Sequence, residues 1–283
     1  MSSISLDAAE TPIELLAASL TKWFDLSVHY AVAFSGGVDS AVVASAAALS
    51  GADAIMVTAQ SASVSAVELA DVQRLVADRM LPHLFLETKE VDLPAYREND
   101  LRRCYHCKSE LYSQIRNRFP QSVVVSGTNA DDLSDYRPGL TAAAEHFVRS
   151  PLAELGLGKK EVRRLATYWQ LHVADKPASP CLASRIAYGV TVTAERLTMI
   201  EQAEAVIRNL GLRELRVRLH ADDIARIEVA SEQISLLAQD SIRAPLVSAL
   251  RELGFRRITL DLEGFRSGSM NEVYGIEGVI SKQ

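Results

Sequence analysis

Cysteine is scarce in this chain: three residues in 283, at positions 104, 107 and 181. An odd number speaks against a disulfide framework and makes metal binding or catalytic sulfur the better question. Long hydrophobic runs are missing as well. The longest apolar stretches, such as Ala41 to Leu49, fall well short of the roughly 20 residues that span a bilayer, so no membrane association is expected. The first residues, Met1 to Glu10, hold no basic region followed by a hydrophobic core. No secretory signal is read there, and a cytoplasmic location is the expectation. Basic charge is short too. Lys and Arg number 30 against 36 Asp and Glu, and the net charge of −6 argues against nucleic acid as the main partner. No internal repeat or low-complexity segment is seen.

What is present is the composition of a soluble globular protein. Apolar residues make up 48% and charged residues 23%, enough for a real core, and the length suits one large domain or two modest ones. The chain is organised around Ser35-Gly36-Gly37-Val38-Asp39-Ser40. An apolar run, Tyr30 to Phe34, precedes it and an alanine-rich segment follows, which reads as strand, glycine turn, helix. Two glycines let the backbone approach an anion, and the helix N-terminus adds N–H donors and a favourable dipole. No Gly-Lys-Ser/Thr follows, so this is not a Walker loop, and the dinucleotide fingerprint G-x-G-x-x-G is absent. Ser-Gly-Gly-x-Asp-Ser resembles the PP-loop of ATP pyrophosphatases, which cleave ATP between the α- and β-phosphates.

Along the chain, Thr11 as N-cap and Pro12 as first helical residue open a helix to about Phe24, and further strands are read at Ala54 to Ala59, His83 to Glu87 and Ser122 to Ser126. Between them lie a helix from Val67 to Met80, with Ser65 and Glu68 at capping-box spacing, and one from Arg102 to Phe119. The alternation predicts βαβ units, and so an α/β fold with a doubly wound parallel sheet. Ligands sit beyond the carboxyl ends of such strands, so Ser35 and Gly127 are expected to face one crevice. Lys159 to Ala166 reads as a helix whose basic face is solvated surface. Composition shifts after Gly189. A helix at Thr193 to Leu210, strands at Leu215 to His220, Ile224 to Val229 and Arg257 to Leu262, and a mostly helical Ser231 to Leu253 suggest a second, smaller α/β domain. The expected domains are therefore 1–189 and 190–283.

Cys104 and Cys107 fall one turn apart on a predicted helix, and Cys181 stands alone after a proline break. Three thiolates suit a 4Fe–4S cluster with one iron left open. The same three suit zinc with His106 as fourth ligand, although a residue between the cysteines on a helix points away from their face. Three unrelated buried thiols is the bland alternative. Elsewhere, Asp39 is the natural carboxylate to hold Mg²⁺ on phosphate oxygens. Arg216 and Arg218 alternate on one strand face, which suits a bidentate grip on a phosphate. Glu228 faces either the same space or solvent.

These residues together resemble one family. Ser35 to Ser40, Gly127-Thr128-Asn129-Ala130-Asp131-Asp132, Asp135-Tyr136-Arg137-Pro138-Gly139, Cys181-x-x-Ser184-Arg185, Arg216-Val217-Arg218-Leu219-His220 and Leu260-Asp261-Leu262-x-Gly264-Phe265-Arg266-x-Gly268 look like the LarE family. These are ATP-dependent sulfur transferases that help build the nickel-pincer nucleotide of lactate racemase. The resemblance covers nearly the whole chain. It implies that a carboxylate of a pyridinium dicarboxylate mononucleotide is adenylylated, and that sulfur then displaces AMP to leave a thiocarboxylate. It implies ATP and Mg²⁺ at Ser35, Gly36, Gly37, Asp39, Ser40 and Gly127, and Lys108 near the phosphates. Ser184, Arg185, Arg216, Arg218 and Glu228 would hold the substrate. Many members sacrifice the cysteine at the Cys181 position and need no Cys-x-x-Cys. Members with all three cysteines are associated with a 4Fe–4S cluster that carries the sulfur, here on Cys104, Cys107 and Cys181. Sulfide or a sulfur-donor protein would then supply it. A homo-oligomer, with a hexamer as one form, is also implied.

Rival readings come from other classes. A PP-loop tRNA thiolase also uses three cysteines, but the acidic balance speaks against RNA. An amide-forming ligase would need ammonia delivery, and no glutaminase domain is read. A nucleotide-sensing iron–sulfur protein would release no pyrophosphate.

Overall fold

The computed structural model describes residues 11–134, 137–177 and 179–266. They form two compact units. The first comprises the described residues up to Glu90 together with Cys104–Ser179, and the second comprises Val91–Arg103 together with those from Pro180 onward. The division thus falls at Ser179/Pro180, ahead of the expected 189/190, and the second unit also takes in 91–103. Hydrogen bonding explains both. The Asn99 amide donates to the carbonyls of Ile186 (3.3 Å), Ala187 (2.8 Å) and Val190 (2.9 Å), and Arg103 donates to the carbonyl of Ala183 (2.9 Å).

The first unit is built on four parallel strands, β1 (Tyr30–Ala33), β2 (Ala54–Gln60), β3 (His83–Glu87) and β4 (Val123–Val125), in the order β3-β2-β1-β4. The central β1, Tyr-Ala-Val-Ala, is buried throughout, as a strand covered on both faces must be. On one face lie α1 (Ile13–Lys22), α2 (Val38–Ser50) and a helix at Lys159–Tyr168. Leu16, Leu20, Val42, Ala46, Val162 and Leu165 join β1 and β2 in one core there. On the other face Leu111, Tyr112 and Ile115, from a helix at Arg103–Arg118, and Ala142 and Ala143, from one at Pro138–Glu145, pack on Ala31, Val57 and Val124. Two covered faces make the sheet doubly wound, the expected α/β fold of a PP-loop ATP pyrophosphatase. Local chemistry sets the boundaries. Ser65 caps α3 (Ala66–Arg79) by accepting the Glu68 N–H at 3.3 Å, and α2 ends at Gly51 with φ +77°. Pro12, expected as the first helical residue, is the N-cap of α1.

The second unit carries a three-stranded sheet, β5 (Leu215–His220), β6 (Ile224–Val229) and β7 (Arg257–Leu260). β5 and β6 are antiparallel, and β6 and β7 are parallel. A helix at Ala194–Arg208, capped by Thr193, and another at Asp240–Glu252 complete it. Its core includes Leu197, Ile200, Ile207, Val217, Leu219, Ile227 and Leu250.

Candidate active site

The loop after β1 has the geometry of an anion cradle. Gly37 is the N-cap of α2, and no side chain caps that end, so the N–H groups of the first turn point outward. Ser35 and Ser40 brace the loop. Their hydroxyls lie 3.2 Å apart, the Ser40 hydroxyl donates to the Gly37 carbonyl at 3.0 Å, and the Ser35 N–H donates to the Ser40 hydroxyl at 3.3 Å. Gly36 has φ +72°, and a Cβ there would lie 2.6 Å from Val72 Cγ2, so only glycine fits. Gly127, just beyond β4, lies against the same turn: a Cβ on it would sit 2.7 Å from the Ser40 nitrogen.

Asp39 stands on the first turn of α2 within a polar network. Its Oδ2 pairs with Lys159 Nζ at 2.6 Å, and its Oδ1 accepts from the Asn129 amide at 3.2 Å. Buried Asn129 also accepts the N–H groups of Asp131 (3.0 Å) and Asp132 (3.2 Å), tying the turn Asp131–Ser134 to α2. The Asp131 carboxylate accepts the Lys159 N–H at 2.7 Å, and Asp132 pairs with Arg137 at 2.7 Å. Burial pushes the Asp132 carboxyl up, with the Asp39 charge adding to it, against the Asn129 N–H, Arg137 and Lys159. Lys159, expected on a solvated face, instead joins this network, as do Asn129, Asp131 and Asp132, for which composition and spacing suggest no role. The signal available was the Gly127–Asp132 motif itself. Lys108, half-buried on the Arg103–Arg118 helix, lays its side chain against Gly139. Asp135, Tyr136 and Gly268 lie outside the described residues.

The cysteines divide between the units. Cys104 is exposed and Cys107 half-buried, one turn apart at the start of the Arg103–Arg118 helix in the first unit. Cys181, in the second unit, is exposed as the N-cap of a short 3₁₀ turn, Leu182–Arg185. Its carbonyl is clamped by three donors: the Ser184 N–H (3.0 Å), the Ser184 hydroxyl (2.7 Å) and the Arg185 guanidinium (2.9 Å). Among the described residues, no three His, Cys, Asp or Glu side chains stand grouped as metal ligands.

The second unit also gathers arginines and carboxylates. Arg185 is buried, pairs with Glu204 at 3.1 Å and donates to the Pro180 carbonyl. Glu204 is shared with Arg208 (2.7 Å) and the Val217 N–H (3.3 Å). Glu228 is 0% exposed, and its oxygens take Arg218 at 2.8 Å and Arg226 at 2.9 Å. Arg218 is thereby committed to a buried carboxylate, and Glu228 faces arginines rather than solvent. Arg216 differs. No carboxylate among the described residues forms an ion pair with it, and its guanidinium stacks 5.1 Å from the Phe265 ring centre. Burial, followed by the charge of Arg185, lowers its pKa to about 10, with Arg218 and Arg208 adding to the shift and Glu204 opposing it. A half-buried cation with surplus positive charge around it suits a phosphate.

No family model matches the chain. An uncharacterised protein of Synechocystis is 41% identical over 265 residues, covering 92% of this chain and 98% of that protein. An uncharacterised protein of Methanocaldococcus jannaschii is 30% identical over 185 residues, covering 64% of this chain and 71% of that protein. The pyridinium-3,5-bisthiocarboxylic acid mononucleotide synthase of Lactiplantibacillus plantarum is 35% identical over 248 residues, covering 85% of this chain and 88% of the synthase. With such identity sustained over most of both chains, this chain belongs to the LarE family, that of the pyridinium-3,5-bisthiocarboxylic acid mononucleotide synthase.

Proposed function

We propose that the chain is an ATP-dependent sulfurtransferase that converts a carboxylate of pyridinium-3,5-biscarboxylic acid mononucleotide into a thiocarboxylate. The observation that carries this reading is the uncapped N-terminus of α2 with Asp39 on its first turn, in a chain related along most of its length to a synthase of the bisthiocarboxylic acid mononucleotide. A carboxylate is a poor electrophile. Its oxygen attacks the α-phosphorus of ATP, pyrophosphate leaves, and the acyl-adenylate then has AMP as a good leaving group. A sulfur nucleophile attacks the acyl carbon and AMP departs.

The roles follow the residues. The α2 N–H groups and Ser35, Gly36, Gly37, Ser40 and Gly127 hold the polyphosphate. Asp39 suits Mg²⁺, which when bound offsets phosphate charge. Lys108 contacts phosphate. Arg216 grips the substrate phosphate, while Arg218 and Glu228 hold β5 and β6 together beside it. Ser184 and Arg185 fix the backbone at Cys181, whose thiol is exposed.

For the sulfur itself, Cys104, Cys107 and Cys181 are the residues that would hold a 4Fe–4S cluster. Thiolates are its usual ligands, and no cysteine of the chain falls outside the set. Such a cluster, with one iron not bound by protein, supplies a site for hydrosulfide. The donor set fits in kind, and two members share one helix turn. The second route has Cys181 surrender its own sulfur, and the exposure of that thiol favours it. Sulfide or a sulfur-donor protein is the source in the first route, and a homo-oligomer is the working form.

The test is pyrophosphate release from ATP and Mg²⁺ that depends on the pyridinium substrate. Asp39→Asn removes the metal-facing charge with little change in shape and is expected to abolish release with the fold intact. Undiminished release in that variant refutes the assignment of Asp39.

A further inference from the structure

Lys159 stands where its own helix does not favour it. It is the first residue of Lys159–Tyr168, so its ammonium sits at the positive end of that helix's dipole, where a cation is unfavourable. The helix is nonetheless fixed there. Val162 and Leu165 are buried in the same core as Val38 and Val42 of α2, the Gly158 N–H donates to Glu161 at 3.2 Å, and Asp131 accepts the Lys159 N–H at 2.7 Å. These anchors carry the Lys159 side chain across to α2. Its Nζ reaches Asp39 at 2.6 Å, with the lysine side chain 38% and the aspartate 25% exposed. Lys160 and Arg163, on the same helix, remain outside this network. The ammonium therefore lies at the lip of the loop, within one turn of the α2 N-terminus, and still reaches solvent.

An unpaired Asp39 carboxylate at that lip would repel an incoming polyphosphate. A cation beside it cancels the charge and stays within reach of the anion. We propose that Lys159 is a phosphate-contacting catalytic residue, held ready by Asp39 and delivered to the β- and γ-phosphates of ATP when the nucleotide enters. This rests on the ATP-dependent reading above. As the substrate carboxylate attacks the α-phosphorus, the bond between that phosphorus and the bridging oxygen to the β-phosphate breaks. Its electron pair stays on the departing pyrophosphate. The Lys159 ammonium donates hydrogen bonds to that growing charge and gives up no proton, so no base or further reactant is needed.

The test separates the two ends of the nucleotide. Pyrophosphate, AMP and a non-hydrolysable ATP analogue are titrated calorimetrically into the full-length protein with Mg²⁺. In Lys159→Ala, pyrophosphate and the analogue are expected to bind about tenfold or more weakly, the scale of a lost charge-assisted hydrogen bond. AMP, which lacks the β- and γ-phosphates, is expected to bind within about twofold of wild type, and Lys159→Arg to recover part of the pyrophosphate affinity. Equal loss for all three ligands marks a structural brace and overturns the proposal, as does no loss for any. Because the variant can fail to fold, the wild type is also treated with an amine-acylating reagent. Pyrophosphate is expected to protect Lys159 and AMP not to. Labelling of Lys159 unaffected by pyrophosphate overturns the proposal too. Wild-type protein that binds neither pyrophosphate nor the analogue removes the ATP reading itself, a failure distinct from that of Lys159.

Discussion

Arg216 and Arg218 stand two residues apart on β5, yet their neighbours make them different chemical groups. Arg218 is spent on Glu228, which is completely buried. Breaking such a pair leaves a charge without its full compensation and costs about 3–5 kcal/mol, toward the lower end here because Arg226 remains on Glu228. Arg218→Ala is therefore expected to lower the midpoint of denaturant unfolding markedly. Arg216 lacks a carboxylate partner among the described residues and holds surplus charge. Arg216→Ala is expected to leave that midpoint nearly unchanged and to weaken mononucleotide binding by about 1.5–3 kcal/mol. Calorimetry alongside unfolding checks both, and similar losses of stability in the two variants would show that the division of labour is misread. The pH dependence has a definite sign. A base whose folded pKa is lowered, here to about 10, is disfavoured as a cation in the ligand-free protein. A bound phosphate dianion favours that cation. Phosphate affinity owed to Arg216 is thus present at neutral pH and is lost as pH rises through about 10. The loss should be absent from the Arg216→Ala titration.

At the scale of elements, β1, the glycine turn and α2 were legible because each has a local cause. An apolar run makes a doubly covered strand, two glycines make the turn, and small residues let α2 pack closely on the sheet. The Ser65 cap was legible for the same reason. What escaped depends on partners far along the chain. Lys159 meets Asp39 across 120 positions, and nothing in a basic helix says which cation turns inward. Segment 91–103 joins the second unit through Asn99 and three backbone carbonyls, acceptors that every sequence offers. Gly127 carries the element-scale prediction. Its missing side chain lets the turn after β4 approach α2, and a methyl there would meet the Ser40 nitrogen at 2.7 Å. Gly127→Ala is expected to cost about 1–3 kcal/mol, as overpacking does, and to weaken ATP binding, because the cradle must shift to relieve the clash. Wild-type ATP affinity in a folded Gly127→Ala protein would show that the β4 turn takes no part in the site.

At the scale of the whole molecule, the question is whether the protein is a catalyst or a reagent. Cys181 alone does not decide it, because a thiolate serves equally as cluster ligand and as nucleophile. Cys104 and Cys107 weigh on the first side. They share the opening turn of one helix, and sacrifice of Cys181 gives them no task. Protein purified without oxygen is therefore expected to be brown, with each of Cys104→Ala, Cys107→Ala and Cys181→Ala losing the colour. Supplied with sulfide, ATP and Mg²⁺, it should make several thiocarboxylates per chain and keep Cys181 intact. The alternative leaves a mark that no cluster chemistry imitates. A cysteine that gives up its sulfur becomes dehydroalanine, lighter by about 34 Da, the mass of H₂S, and this lies outside the usual oxidation ladder, whose steps add oxygen. Peptide mass spectrometry after turnover reads the two cases directly. An unmodified Cys181 with more than one product per chain supports the catalyst. Loss of about 34 Da at Cys181 in step with a single product per chain overturns it and makes the protein its own sulfur donor.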